Sequence, residues 1–187
     1  MISKDIDAVD LLDYYTQLYD VQAEAHTPEY MLVHDEIRRL LKDCSSYTEF
    51  GVNQGTTLAI ALLENTPTIR AYDIKLTPYN KAKHHFEHHA KKNRLDYLAV
   101  ESNTLKQIIE PVDLLYIDTL HVYDHLKKEL ALHGNKARKY LVFHDTFKPT
   151  QHLKQAIFEF VERNPHWSVL TECDESVGFM TLIRRQA

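Results

Sequence analysis

Glycine is scarce in this chain, 4 in 187 residues. Flexible glycine linkers are therefore excluded, and each glycine present marks a backbone turn or a close approach that a side chain would obstruct. Cysteine is nearly absent: Cys44 and Cys173 lie far apart and form no C-x-x-C pair. That excludes a disulfide framework, fits a reduced intracellular setting and leaves both as small buried apolar residues. No run approaches the roughly 18 apolar residues of a membrane span, and the start, MISKDIDAVDLLDYY, lacks the apolar core of a signal peptide. A cytoplasmic location with no membrane partner is expected. An excess of positive charge is also missing, with Lys+Arg 22 against Asp+Glu 27 and a net charge of -5. This disfavours nucleic acid as the main partner and leaves only a local basic patch open.

What is present is a chain long enough, at 44% hydrophobic, for one domain spanning residues 1–187 that buries roughly 70% of its unfolded surface. Leu11, Leu12, Tyr15, Leu18 and Tyr19 repeat at helical spacing, as do Met31, Val33, Ile37, Leu40 and Leu41. Residues 1–45 are thus expected to be helical, with Thr27 capping and Pro28 opening the second helix. From residue 46 onward short β-rich runs alternate with helices. The strands are expected at Tyr47–Gly51, Ile69–Ile74, Tyr97–Val100, Asp113–Asp118, Tyr140–His144, Ser168–Glu172 and Gly178–Arg184. The helices between them are expected at Thr56–Asn65, Tyr79–Asn93, Thr104–Ile109, Tyr123–His133 and Gln151–Asn164. Alternation of this kind implies an α/β fold, a mostly parallel Rossmann-like sheet with helices on both faces. Only CDESV separates the last two strands, too little for a crossover, so the seventh should run antiparallel.

The stretch YTEFGVNQGTTLAIALLE places Glu49, Gly51 and Gly55 at a strand-to-helix corner. Ligands of open parallel sheets sit outside such strand ends, and the free N–H groups of the following helix point there. The frame is not the G-x-G-x-x-G of a pyrophosphate site, and Glu49 would attract an ammonium rather than a phosphate. Asp73, at the next strand end, suits bidentate bonding to ribose hydroxyls. Together they describe a nucleoside bearing an amino-acid-like group.

The segments EFGVNQG, AYDIK, LLYIDTLHVY and LVFHDT resemble a class I S-adenosylmethionine-dependent methyltransferase over about Tyr47 to Arg184. The resemblance implies a seven-stranded sheet with an antiparallel last strand. It also implies that the loop Gly51, Val52, Asn53 to Gly55 packs on the methionine moiety, that Asp73 binds the ribose, and that Ser102 and Asn103 lie near the adenine.

Asp118 and the pair His144–Asp145 end two buried runs, aiming two carboxylates at one mouth. Like charges so placed call for a cation between them, and oxygen ligands favour magnesium, calcium or manganese. These residues narrow the resemblance to metal-dependent small-molecule O-methyltransferases of the sugar or macrolide type and the catechol type. It implies Asp118 and Asp145 as metal ligands. The sugar group has an acid where this chain has His144, the third candidate; the catechol group has an asparagine where it has Thr146. His121, three residues past Asp118, is the candidate general base for a hydroxyl, in a place where catechol-type enzymes carry lysine. No D/N-P-P-Y-like segment follows the fourth strand, which weakens an amino-group acceptor, and two Y-x-x-x-K matches lack a nicotinamide-type glycine loop. Two alternatives stay open, a non-catalytic donor-binding or assembly protein and a methyltransferase with a macromolecular acceptor. The N-terminal tyrosines Tyr14, Tyr15, Tyr19 and Tyr30 are expected to pack on the sheet, with a cover over the acceptor as the alternative. The cluster His84, His85, His88 and His89 is expected to be a solvated helix surface that takes up nickel or zinc adventitiously.

Overall fold

The computed structural model describes residues 6–185. Helix α1 (Leu11–Ala25) starts at Asp10, whose side chain accepts from the Asp13 amide, and it buries Leu11, Tyr14, Tyr15 and Leu18. Leu12, expected in that stripe, is exposed. After a 3₁₀ turn (Pro28–Met31) comes α2 (Leu32–Leu41), burying Val33, Ile37, Leu40 and Leu41. Thr27 has the extended backbone of a cap but makes no side-chain capping bond, so Pro28 opens the 3₁₀ turn rather than the helix itself.

The core is a sheet of β1 (Ser46–Phe50), β2 (Thr68–Asp73), β3 (Asp96–Glu101), β4 (Val112–Ile117), β5 (Ala137–His144), β6 (Trp167–Cys173) and β7 (Phe179–Arg184). The strand order is β3-β2-β1-β4-β5-β7-β6. The first five strands pair in parallel, and β7 lies antiparallel between β5 and β6. The expected antiparallel final strand is therefore present, and it is inserted into the sheet rather than added at its edge. Order reverses between β1 and β4, the place where such sheets open a crevice.

Alternation along the strands divides the core in two. Tyr47, Ile69, Leu114 and Tyr116 face α1, α2, α3 (Thr56–Leu63) and α5 (Lys83–Asn93). Phe50, Leu115, Ile117 and Phe143 face α6 (Tyr123–His133) and α7 (His152–Arg163). Central strand β4 is buried on both faces, as a covered parallel strand requires. Among the described residues, no helix is long and apolar enough to cross a membrane.

Two expected helices differ. Tyr79–Asn93 is split into α4 (Thr77–Asn80) and α5, with a non-helical step at Ala82 (φ -113°). The Tyr79 hydroxyl meets that of Tyr97 at 2.5 Å while Phe86 turns under Gly55, and one straight helix would not serve both partners. Thr104–Ile109 is only a 3₁₀ turn over Thr104–Lys106. Gln107 is already extended, Ile109 is buried and Ile108 exposed, and Pro111 disfavours helix in the residue before it.

In α5, His85 stacks on Tyr14 with ring centroids 6.1 Å apart, and His89 Nε2 bonds the Leu62 carbonyl at 3.1 Å. Of the four, His84 and His88 are exposed while His85 and His89 are half-buried, so the expected solvated surface is in part a packing surface. Cys44 and Cys173 are free thiols, each half-buried rather than fully buried.

Candidate active site

The glycine corner is built by the protein's own packing. Gly51 has φ +86°, and a Cβ there would fall 1.8 Å from the Asp118 carbonyl oxygen, because the ends of neighbouring β1 and β4 nearly touch. Gly55 has φ +85° and caps α3, with a Cβ position 2.8 Å from the Phe86 ring. Left-handed backbone and lack of room each demand glycine at these two positions. The loop between them is pinned from outside by the Tyr14 hydroxyl, which donates to the Gln54 carbonyl at 2.9 Å.

From within, Asp73 holds the same loop. Its Oδ2 accepts from the amides of Val52 (2.7 Å) and Asn53 (3.0 Å), and its Oδ1 from that of Lys75 (2.9 Å). The carboxylate borders the cleft with most of its lone pairs already taken by backbone.

Glu49 departs from the expectation of a free carboxylate. It is fully buried, and its oxygens accept from the hydroxyls of Tyr47 (2.5 Å) and Thr57 (2.9 Å). Burial pushes its pKa up to about 8, which these hydrogen bonds only partly offset, so it is mostly neutral at pH 7. It lies behind the cleft wall and does not line the cleft. Ser102 and Asn103 are not cleft residues either. Ser102 donates its amide to the Asp73 carbonyl (2.7 Å), and the Asn103 side chain caps the following 3₁₀ turn at the Leu105 amide (2.9 Å).

The cleft itself is a cavity of about 330 Å³. That falls at the lower end of small-molecule sites, roughly 300–1,000 Å³. One side is the loop Gly51–Gln54 with Asp73; the other is formed by the ends of β4 and β5, where Asp118, His121, His144 and Asp145 converge. His121 Nε2 lies 3.2 Å from Asp118 Oδ1 and 3.1 Å from Asp145 Oδ2. His144 Nδ1 lies 3.4 Å from Asp118 Oδ2 and 3.3 Å from Asp145 Oδ2. Asp145 adopts φ +54°, a left-handed conformation that Asp tolerates better than most residues and that often marks functional sites.

Electrostatics follow from this packing. Burial alone would raise the Asp118 carboxyl, but the hydrogen bond from His121 and the close contact and charge of His144 outweigh it and hold it well below the usual range. Burial alone would lower the His144 imidazole; instead the two carboxylates push it up to about 10. Its Nδ1 is buried and too poorly aligned for a proper hydrogen bond, so the attraction is that of charges. The Asp118 hydrogen bond raises His121 against a smaller desolvation effect.

Asp118, His121 and Asp145 each offer one ligand atom, all within 4.8 Å of one another. Adjacent ligands of a cation bonded at about 2.1 Å stand roughly 3 Å apart, so the donor set fits a hard divalent cation. His121 takes the third place in this grouping, where His144 is the sequence-based candidate.

Of a third wall, sequence reading named only Tyr30, as one of the tyrosines that pack on the sheet or cover an acceptor. Gln22, Tyr30, Val33 and His34, from α1, the 3₁₀ turn and α2, close the cleft over His144. The Tyr30 ring stands edge-on to His144 with centroids 5.3 Å apart. His34 bonds the Tyr15 hydroxyl through Nδ1 at 3.0 Å, and burial drives its pKa down to about 3. No local pattern distinguishes Gln22, Val33 and His34 from others on the same helices; only docking of the helices on the sheet reveals them.

Strand order and crevice together define the fold of the class I S-adenosylmethionine-dependent methyltransferases. An O-methyltransferase from Bacillus cereus in complex with S-adenosylhomocysteine matches with TM-score 0.65 at 13% identity, covering 99% of this chain and 93% of that one. A TDP-rhamnose 3'-O-methyltransferase of calicheamicin biosynthesis matches with TM-score 0.61 at 17% identity, over 80% and 77%. Magnesium protoporphyrin IX methyltransferase from Synechocystis, with bound S-adenosylmethionine, matches with TM-score 0.60 at 12% identity, over 83% and 79%. No family model matches the chain, and no curated protein matches it in sequence.

Proposed function

We propose that this protein is an S-adenosylmethionine-dependent O-methyltransferase acting on a hydroxyl of a small molecule, sugar-like or a vicinal diol, with a divalent cation at Asp118 and Asp145. The observation that carries the proposal is the meeting of Asp118, His121, His144 and Asp145 in the same cavity as the Gly51–Gln54 loop and Asp73. The named neighbours, two of them holding the methyl donor or its product, agree with it.

The loop and Asp73 seat the donor, with Ser102 and Asn103 behind Asp73 and neutral Glu49 behind the loop. Asp118 and Asp145 hold the cation. Buried His144 offers the third ligand atom, because its Nδ1 has no hydrogen bond to lose. His121, 40% exposed, is better placed to pass a proton to solvent and is the general base for the acceptor hydroxyl. A bound cation supplies a lowered hydroxyl pKa and a fixed direction for the oxygen. Most of the acceleration then comes from holding two reactants in line.

The test is methyl transfer measured over a panel of hydroxylated acceptors, with and without chelator. Asp118→Ala and His121→Ala are each expected to lower kcat by about 100-fold or more, the range for a lost acid–base or cation-binding group. Donor binding with no turnover and no response to chelator would instead assign a non-catalytic donor-binding protein.

A further inference from the structure

Glu129 lies on α6 with no exposed surface. Burying such a side chain is costly unless its oxygens find donors, and an apolar residue fills the same space at less cost. Both oxygens do find them. Oε1 accepts from the Thr104 hydroxyl at 2.5 Å, and Oε2 from the Thr119 hydroxyl at 2.8 Å. His125 Nε2, one helical turn earlier, lies 3.2 Å from Oε1. The two hydroxyls differ in where they sit. Thr104 belongs to the 3₁₀ turn after β3 and does not border the cleft, and its carbonyl is also bonded by His133 Nε2 at 3.0 Å. Thr119 borders the cleft between Asp118 and His121, on the irregular segment 118–122 that joins β4 to α6.

We infer that Glu129 is a positioning residue for the site. Through the Thr119 hydroxyl it fixes the segment that carries Asp118 and His121, and so sets the place from which the His121 ring reaches Asp118 and Asp145. At its start the segment is held by the Asp118 amide, which donates to the Phe50 carbonyl at 2.8 Å, and past its middle by His152 Nε2, 3.1 Å from the His121 carbonyl oxygen. Between these points the Thr119 side chain ties the segment to the buried interior. This rests on the methyltransferase proposal above and adds to it the group that aims its base. Glu129 itself does not border the cleft and is not a catalytic residue.

Variants of the full chain test this. Thr119→Val keeps the shape of the side chain and removes its hydroxyl, and Thr119→Ser keeps the hydroxyl. Thr104→Val removes the other bond to the same carboxyl group, and Glu129→Met removes both. With manganese present and any acceptor that wild type methylates, Thr119→Val and Glu129→Met should each lower kcat about tenfold, the scale of a base displaced by a fraction of an ångström. Their double variant should lose no more than either alone, because both remove one coupling. Thr119→Ser should stay within about twofold of wild type, and Thr104→Val should lower the melting temperature as far as Thr119→Val does with kcat near wild type. The S-adenosylhomocysteine Kd of Thr119→Val should stay within about twofold of wild type. In crystals of ligand-free protein, Thr119→Val should shift His121 Nε2 by about 0.5 Å or more from its wild-type place beside Asp118 and Asp145.

A kcat that falls in step with the melting temperature across Thr104→Val and Thr119→Val would make the network structural only and overturn the inference. So would a Thr119→Val protein with wild-type kcat, failure of Thr119→Ser to restore it, or His121 unmoved in the Thr119→Val crystals. Failure of wild type to bind S-adenosylhomocysteine or to methylate any acceptor would instead overturn the methyltransferase proposal itself, and the crystals would still decide what holds His121 in place.

Discussion

Gly51 and Gly55 share a sequence motif and a left-handed backbone, but different neighbours set the cost of replacing them. At Gly51 a methyl group would meet a carbonyl of the adjacent strand end, which cannot move without disturbing Asp118. At Gly55 it would meet the rim of the Phe86 ring, which can shift by a few tenths of an ångström. Gly55→Ala is expected to cost about 2 kcal/mol, mostly backbone strain, and Gly51→Ala clearly more, enough to deplete the folded state. Urea denaturation of the two variants checks this, and equal losses would contradict it. Glu49 gives a second test at this scale. Its folded pKa of about 8 exceeds the unfolded value near 4.5, so the folded chain keeps a proton that the unfolded chain releases. Stability contributed by Glu49 is therefore complete below about pH 4.5 and is lost as pH rises through about 8. Glu49→Gln should flatten that decline between about pH 5 and about pH 8, measured by urea midpoints at both ends. The glycine frame and the acids Asp73, Asp118 and Asp145 were legible as strand-end residues. What sequence could not supply was their partners: burial that neutralises Glu49, and loop amides that occupy Asp73.

Among the secondary-structure elements, legibility followed how much of each element's shape is decided locally. Strands β4 and β5 each carry a buried apolar run just before the site residues, 114–117 and 141–143, and were legible on that ground, although β5 begins at Ala137 rather than at the expected Tyr140. The break at Ala82 and the short turn at Thr104 were not, since Tyr79, Phe86 and Leu105 keep helical spacing while tertiary partners decide the backbone. Helix α1 is the element whose role was least visible. Through Tyr14 it clamps the Gly51–Gln54 loop, and its Gln22 borders the cleft. Tyr14→Phe removes the bond to the Gln54 carbonyl while keeping the ring against Phe86. About 1 kcal/mol of loop restraint should go with it, a loss of roughly fivefold in S-adenosylhomocysteine affinity by calorimetry. An unchanged affinity would show that the loop holds its shape without α1.

Considered whole, the chain places its two halves of chemistry on one line. The β1 and β2 ends offer amides and an acid, the β4 and β5 ends offer two acids and two imidazoles, and one cavity joins them. A ligand bridging these ends binds only the folded state. At about 100 times its Kd, S-adenosylhomocysteine should add about 2.7 kcal/mol, raising the melting temperature by about 5–10 °C. The most direct measurement is a crystal structure of the full chain grown with S-adenosylhomocysteine and manganese. The account predicts the nucleoside against the Gly51–Gln54 loop and Asp73, with an anomalous manganese peak on Asp118 and Asp145. A nucleoside bound outside this cleft, or one inside it with no manganese at those carboxylates, would contradict it.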